Sequence, residues 1–99
     1  MLNLKDPNLL KSKNYINGQW KKGSAGEFDV INPSNDNKVI TVANGNAANV
    51  TEAVESAALA FKSWSIMPAK ERAVLLKGWF DLLIENSDDL GAILTAEQA

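Results

Sequence analysis

The chain has 99 residues, 45% of them apolar, with 10 basic and 12 acidic side chains and a formal net charge of -2. That is enough apolar material for one small core, and the longest unbroken apolar run, Ala57–Phe61, is far short of the roughly 20 residues a membrane-spanning helix needs. It has no basic stripe for a nucleic-acid backbone, no cysteine for disulfides, thiolate chemistry or sulfur ligands, and no histidine for neutral-pH base work or metal ligation.

Residues 1–14 are polar with scattered leucines: Leu2, Leu4, Leu9 and Leu10. They read either as a frayed tail or as one short helical turn whose leucines dock on the body. Lys5 and Asp6 interrupt any apolar core of a secretory signal, so a cytoplasmic address is the expectation. Tyr15-Ile16 and Gln19-Trp20 flank Asn17-Gly18, the strongest two-residue hairpin signal, because a type I′ turn needs positive φ at both positions. Lys21-Lys22 reads as a solvated strand end and Gly23–Gly26 as a flexible connection. Glu27–Ile31 alternates as a strand, Asn32-Pro33 stays extended, Ser34–Asn37 has turn chemistry, and Val39–Ala43 is a second β-rich run. Two to four short antiparallel strands over about 15–43 are expected.

Asn46 is a plausible N-cap for a helix over about 46–64. At 100° per residue, Val50, Ala53, Val54, Ala57, Ala60, Phe61 and Trp64 share an arc of roughly 120°. Glu52, Glu55 and Lys62 face the other way, and Leu59 is a misfit on that polar side. Pro68 suits the first position of a helix over about 68–86. Its apolar set, Ala73, Leu75, Leu76, Trp79, Phe80, Leu82, Leu83 and Ile84, covers about 200°, wider than a surface helix needs. Such a helix wants partners on more than one side. Val74 counts as exposed. Ser87 reads as the cap of a third helix over about 87–99, with Asp88 and Asp89 in the first turn favoured by the dipole. Thr95–Ala99 carries no C-cap glycine and no proline, so a chain cut before its pattern finishes is expected.

Little here performs chemistry. The six glycines fit neither dinucleotide nor P-loop spacing. Asp88 and Asp89, adjacent on a helix, point about 100° apart and do not form an acid/base pair. Glu52 and Glu55 read as a wet face. Asn49-Val50-Thr51 matches the glycosylation pattern inside a predicted helix and reads as chance. Trp20, Trp64 and Trp79 sit on apolar stripes or strands, so core packing outweighs base stacking. Arg72 falls between Trp79 and Leu83 in the apolar arc. A buried guanidinium must be paired and hydrogen-bonded, or else snorkels its head to water. Arg72 is either an anion-binding arginine for a carboxylate substrate or, as we favour because catalysis tends to sit on loops over a rigid frame, an internal ion pair or carbonyl clamp.

Ile16-Asn17-Gly18-Gln19-Trp20, Val30-Ile31-Asn32-Pro33-Ser34, Ala60-Phe61-Lys62-Ser63-Trp64 and Glu71-Arg72-Ala73 occur in this order. Together they resemble the start of the aldehyde dehydrogenase family, over Tyr15 to Ala99. Asp88-Asp89-Leu90 through Leu94-Thr95-Ala96-Glu97-Gln98 is similar to the succinate-semialdehyde branch, with Ala99 where a glycine would be expected. The resemblance implies a parent that oxidises an aldehyde to an acid with NAD or NADP, through a cysteine nucleophile and a glutamate that activates water. None of those residues maps onto this chain, so no catalytic, cofactor-binding or metal-binding side chain is expected in it. In some relatives the backbone corresponding to Val30 and Ile31 helps hold a structural monovalent cation. The implied fold is α+β: short antiparallel strands, then two to three helices, forming part of an α/β cofactor-binding domain. Residues 1–14 would be a tail and 15–99 a partial domain, inert alone and scaffold in role. Its expected partner is the remainder of the parent dehydrogenase. The alternative is a free-standing module that self-associates through exposed apolar helix faces.

Overall fold

Asn17 and Gly18 take φ values of 52° and 72°, the two left-handed positions of a type I′ turn. They join β1 (Asn14–Ile16) to β2 (Gln19–Lys21) in antiparallel register, Ile16 opposite Gln19. The computed structural model describes residues 2–98. A second ribbon pairs β3 (Glu27–Ile31) with β4 (Lys38–Ala43) and carries a bulge between Val30 and Ile31. Asn32 builds the connecting turn: its carbonyl accepts from the Asp36 N–H at 2.8 Å and its side chain from the Ser34 N–H at 2.8 Å. The four strands form two separate two-stranded sheets.

Main-chain bonds carry the β3–β4 ribbon past its ends, where the segment leaving β2 comes against it. The Ala25 N–H donates to the Asn44 carbonyl at 3.0 Å, and the Asn44 N–H donates to the Gly26 carbonyl at 2.8 Å. Gly23 allows this approach, since a Cβ there would lie 2.0 Å from the Asn44 oxygen. The stretch read as flexible is therefore a packed crossing.

Helix α1 (Ala47–Ile66) starts at Asn46, whose side chain accepts from the Asn49 N–H at 3.1 Å. Asn49 returns the bond, accepting from the Asn46 N–H at 2.9 Å, which completes a capping box. The same Asn49 oxygen accepts from the Ser24 N–H at 2.9 Å, and its amide donates to Ser24 Oγ at 3.0 Å. One side chain thus ties the 23–26 crossing to the helix start. Asn49→Ala removes its three side-chain bonds together and is expected to cost about 1–2 kcal/mol, read as a lower urea midpoint; an unchanged midpoint would contradict the junction.

Helix α2 (Ala69–Glu85) begins one residue later than expected. Pro68 is its N-cap, with φ -53° and ψ 142°, and its carbonyl accepts the Glu71 and Arg72 N–H groups. Extended ψ keeps the proline outside the helix even though its φ would suit the first turn. Ser87 is not the cap of α3 (Ser87–Gln98) but its first residue. Asn86 takes the junction instead: its amide donates to the Leu82 carbonyl at 2.9 Å and its own carbonyl accepts the Leu90 N–H at 3.0 Å.

The N-terminal segment contains a 3-10 turn, Pro7–Leu9, capped by the Asp6 side chain. It is anchored at both ends. The Ala43 N–H donates to the Ser12 carbonyl at 2.7 Å, and the Lys5 and Asp6 N–H groups donate to Asp89.

Among the described residues Ile16, 7% exposed, is the one apolar side chain shut from solvent. The radius of gyration is 16.4 Å, against about 13 Å for a compact domain of 100 residues. The accessible surface is 7598 Å², against about 5,500 Å² for a folded monomer of this mass. Much of the apolar part of that surface lies along α1 and α2, whose apolar rows are uncovered.

Candidate functional site: a bare helical docking face

The apolar rows read from the helical period are present and have nothing over them. On α1, Val50, Val54 and Phe61 are exposed, and Ala57, Ala60, Phe61, Trp64 and Met67 line a shallow apolar groove. The small alanines keep that groove open to close approach by another element. On α2, Leu75, Leu76, Phe80, Leu82, Leu83 and Ile84 are all exposed, and Trp79 is 63% exposed. Leu59 and Val74, the residues placed off the apolar faces, are each 66% exposed. Exposed apolar rows on two successive helices are the kind of surface that interaction sites use.

The tryptophans are not core residues within this chain. Trp79 and Trp20 are exposed and Trp64 half-buried. Trp20 packs against Tyr15 with ring centroids 4.9 Å apart, and Lys11 lies over its ring. Their stripes face outward from the chain's small buried centre, so a second layer would be needed to enclose them.

Four polar assignments change. Glu52, read as part of a wet face, pairs with Lys21, read as part of a solvated strand end, and this ion pair links α1 to β2. Asp89, read as a first-turn acid favoured by the helix dipole, is 7% exposed and turns to the N-terminal segment. Its Oδ1 accepts the Lys5 N–H and its Oδ2 the Asp6 N–H, both at 2.9 Å. These two bonds, the Lys5 one foremost, hold its carboxyl below the ordinary aspartate value of 3.8, against the opposing effect of burial and with help from the Lys5 charge. Asp88, its neighbour on the helix, stays exposed, as the 100° step between them requires. Arg72, expected in an internal ion pair or carbonyl clamp, has neither among the described residues. Its side chain is half-buried, and its Nε is buried with no hydrogen-bond partner.

Asn49 of the glycosylation-like triplet spends its side chain on Ser24 and Asn46. Val30 and Ile31 straddle the β-bulge. Among the described residues no group of three or more His, Cys, Asp or Glu is placed to hold a metal. No helix among them is long and apolar enough to cross a membrane.

The profile of the aldehyde dehydrogenase family matches residues 20–99. The chain belongs to the aldehyde dehydrogenase family. It is 46% identical to the 3-sulfolactaldehyde dehydrogenase of Pseudomonas putida over 99% of its length and 20% of that protein's. It is 39% identical to the NADP-dependent succinate-semialdehyde dehydrogenase of Escherichia coli strain K12, over 98% of the chain and 20% of that enzyme. The fold superposes on a crystal structure of an aldehyde dehydrogenase from Brucella melitensis biovar abortus 2308 with a TM-score of 0.94 at 43% identity. That match covers 99% of this chain and 20% of the other. The chain thus spans about a fifth of the length of the aldehyde dehydrogenases it matches.

The helical period locates the bare apolar faces, but not the residues that join the elements to one another. Asn49 has a readable signal, a hydrogen-bonding side chain three residues after an N-cap. Asp89, Gly23 and Asn86 have none that separates them from an ordinary first-turn acid, loop glycine or polar linker.

Proposed function

We propose that this chain is scaffold for an NAD(P)-dependent aldehyde dehydrogenase that oxidises succinate semialdehyde to succinate in the cytoplasm. In this reading the two ribbons lie beside the cofactor-binding domain and the bare faces of α1 and α2 pack on the rest of it. The chain supplies no nucleophile, general base or cofactor contact. The observation that carries the reading is the end-to-end match to enzymes five times longer, by a chain whose apolar helix faces are bare. The substrate class draws support from the relatives' names: succinate semialdehyde and 3-sulfolactaldehyde are both aldehydes with an acid group. NADP draws support from the name of the Escherichia coli enzyme.

The test is an assembled enzyme in which residues 2–98 replace the matching fifth of the Escherichia coli dehydrogenase. It is expected to fold and to reduce NADP with succinate semialdehyde, whereas the 99-residue chain alone gives no reduced cofactor. Turnover by the chain alone, or an assembly that cannot fold, would sink the proposal. A second reading, self-association through the same faces, is favoured by the bare surface, which exceeds that of a folded monomer by about 2,000 Å². Light scattering on the chain decides it: a defined dimer supports it and a self-covered monomer removes it.

A further inference from the structure

Arg72 stands in the stripe of α2 that runs through Leu75, Leu76, Trp79 and Leu83, at helical spacings of three and four. These four apolar residues are exposed. Its guanidinium takes no part in either ion pair among the described residues, and its buried Nε has no acceptor. Buried donors in folded proteins are nearly always paired, and a guanidinium stays charged at any working pH. A layer laid over this stripe would desolvate the charge, at a cost that the neighbouring apolar contacts would have to overcome.

None of the carboxylates among the described residues pairs with Arg72, and several are held elsewhere. Asp89 gives both oxygens to Lys5 and Asp6, Asp81 pairs with Lys77, Glu52 with Lys21, and Asp29 accepts from Thr41. Glu71, next to Arg72, is exposed and in neither ion pair.

We propose that Arg72 is the polar anchor of the α2 docking face, and that its acceptor is a carboxylate on the segment that covers that face. This rests on the reading above that a larger dehydrogenase covers α2. A carboxylate fits because its two oxygens match the planar fork of the guanidinium and cancel its charge. The surrounding Leu75, Leu76, Trp79 and Leu83 then exclude water from the pair, the arrangement found at the energetic centres of interfaces. Arg72 is a positioning residue: it orients α2 on its covering layer and touches no substrate.

The test compares Arg72→Met and Arg72→Lys in the assembled enzyme described above. Arg72→Met is expected to inactivate about tenfold faster, or more, than the unsubstituted assembly at a fixed elevated temperature and neutral pH. Arg72→Lys, which keeps the charge and loses the fork, falls between them. The advantage of arginine over methionine shrinks as the pH is lowered into the range where carboxylates protonate. The same Arg72→Met change in the 99-residue chain alone leaves the helical circular dichroism and the urea midpoint unmoved. An advantage of arginine that ignores pH points to a carbonyl acceptor and overturns the proposal. Equal damage in the lone chain places the acceptor inside it and does the same, as does no effect in either. If the unsubstituted assembly neither folds nor turns over, the scaffold reading has failed and this anchor falls with it; if it works, only the anchor is being judged.

Discussion

Gly23→Ala is expected to unfold the β-ribbon half of the molecule. An added Cβ would sit 2.0 Å from the Asn44 oxygen, 2.4 Å from its carbon and 2.7 Å from its nitrogen. These are backbone atoms held by the paired bonds to Ala25 and Gly26, so no side chain can swing aside. Overpacking of this kind costs about 3 kcal/mol. That is a large share of what a 99-residue chain can hold with one buried apolar side chain among its described residues. Amide exchange at the β3–β4 ladder should lose its protection, and Trp20 fluorescence should shift toward that of the unfolded chain. Gly78→Ala is the internal control: a Cβ added there would meet nothing within 4 Å, and a helix interior gains about 0.5–1 kcal/mol from the change. If the two substitutions behave alike, the close crossing at Gly23 is wrong.

Asp89→Ala is expected to free the N-terminal segment from α3. The Lys5 and Asp6 N–H groups would lose their acceptors at once, and only the Ser12 end of the segment would stay tied. Amide exchange at Lys5 and Asp6, and tryptic cleavage after Lys5 and Lys11, should rise about tenfold or more. Asp89→Asn keeps one acceptor oxygen and should be intermediate. The tether also has an acid limit. The folded-state carboxyl titrates below its unfolded value near 3.8. Its contribution is therefore complete above that value and is lost as the pH falls through the lowered one. Protection of the Lys5 and Asp6 amides, taken relative to their intrinsic exchange rates, should hold at neutral pH and be lost only in strong acid. Indifference of those two amides to Asp89→Ala would refute the tether.

The features legible in the sequence are those that adjacent residues decide among themselves. Asn17-Gly18 specifies its turn because the two positions need only their own φ values, and both take them. Asn46 caps α1 because its acceptor bonds a group three residues away. Pro68 and Ser87 are displaced by one position, because the exact start of a helix depends on which neighbour satisfies the free N–H and C=O groups. At the α2–α3 junction Asn86 does so through Leu82. Asp89 escapes sequence reading for a different reason: its partners lie 84 and 83 residues away, and no local pattern reports them. The same holds for Lys21 with Glu52, separated by 31 residues.

By itself the sequence determined the turns, the helical periods, the over-wide apolar arc of α2 and the lack of thiol and imidazole. All of these follow from side-chain identity and spacing along one chain. The tertiary structure decided that the strands form two ribbons rather than one sheet, that Gly23 lies against Asn44, that Asp89 grips the N-terminal segment, and that Arg72 finds no acceptor among the described residues. Each of those depends on which distant groups share a space, and a one-dimensional pattern carries no information about that until the chain has closed on itself.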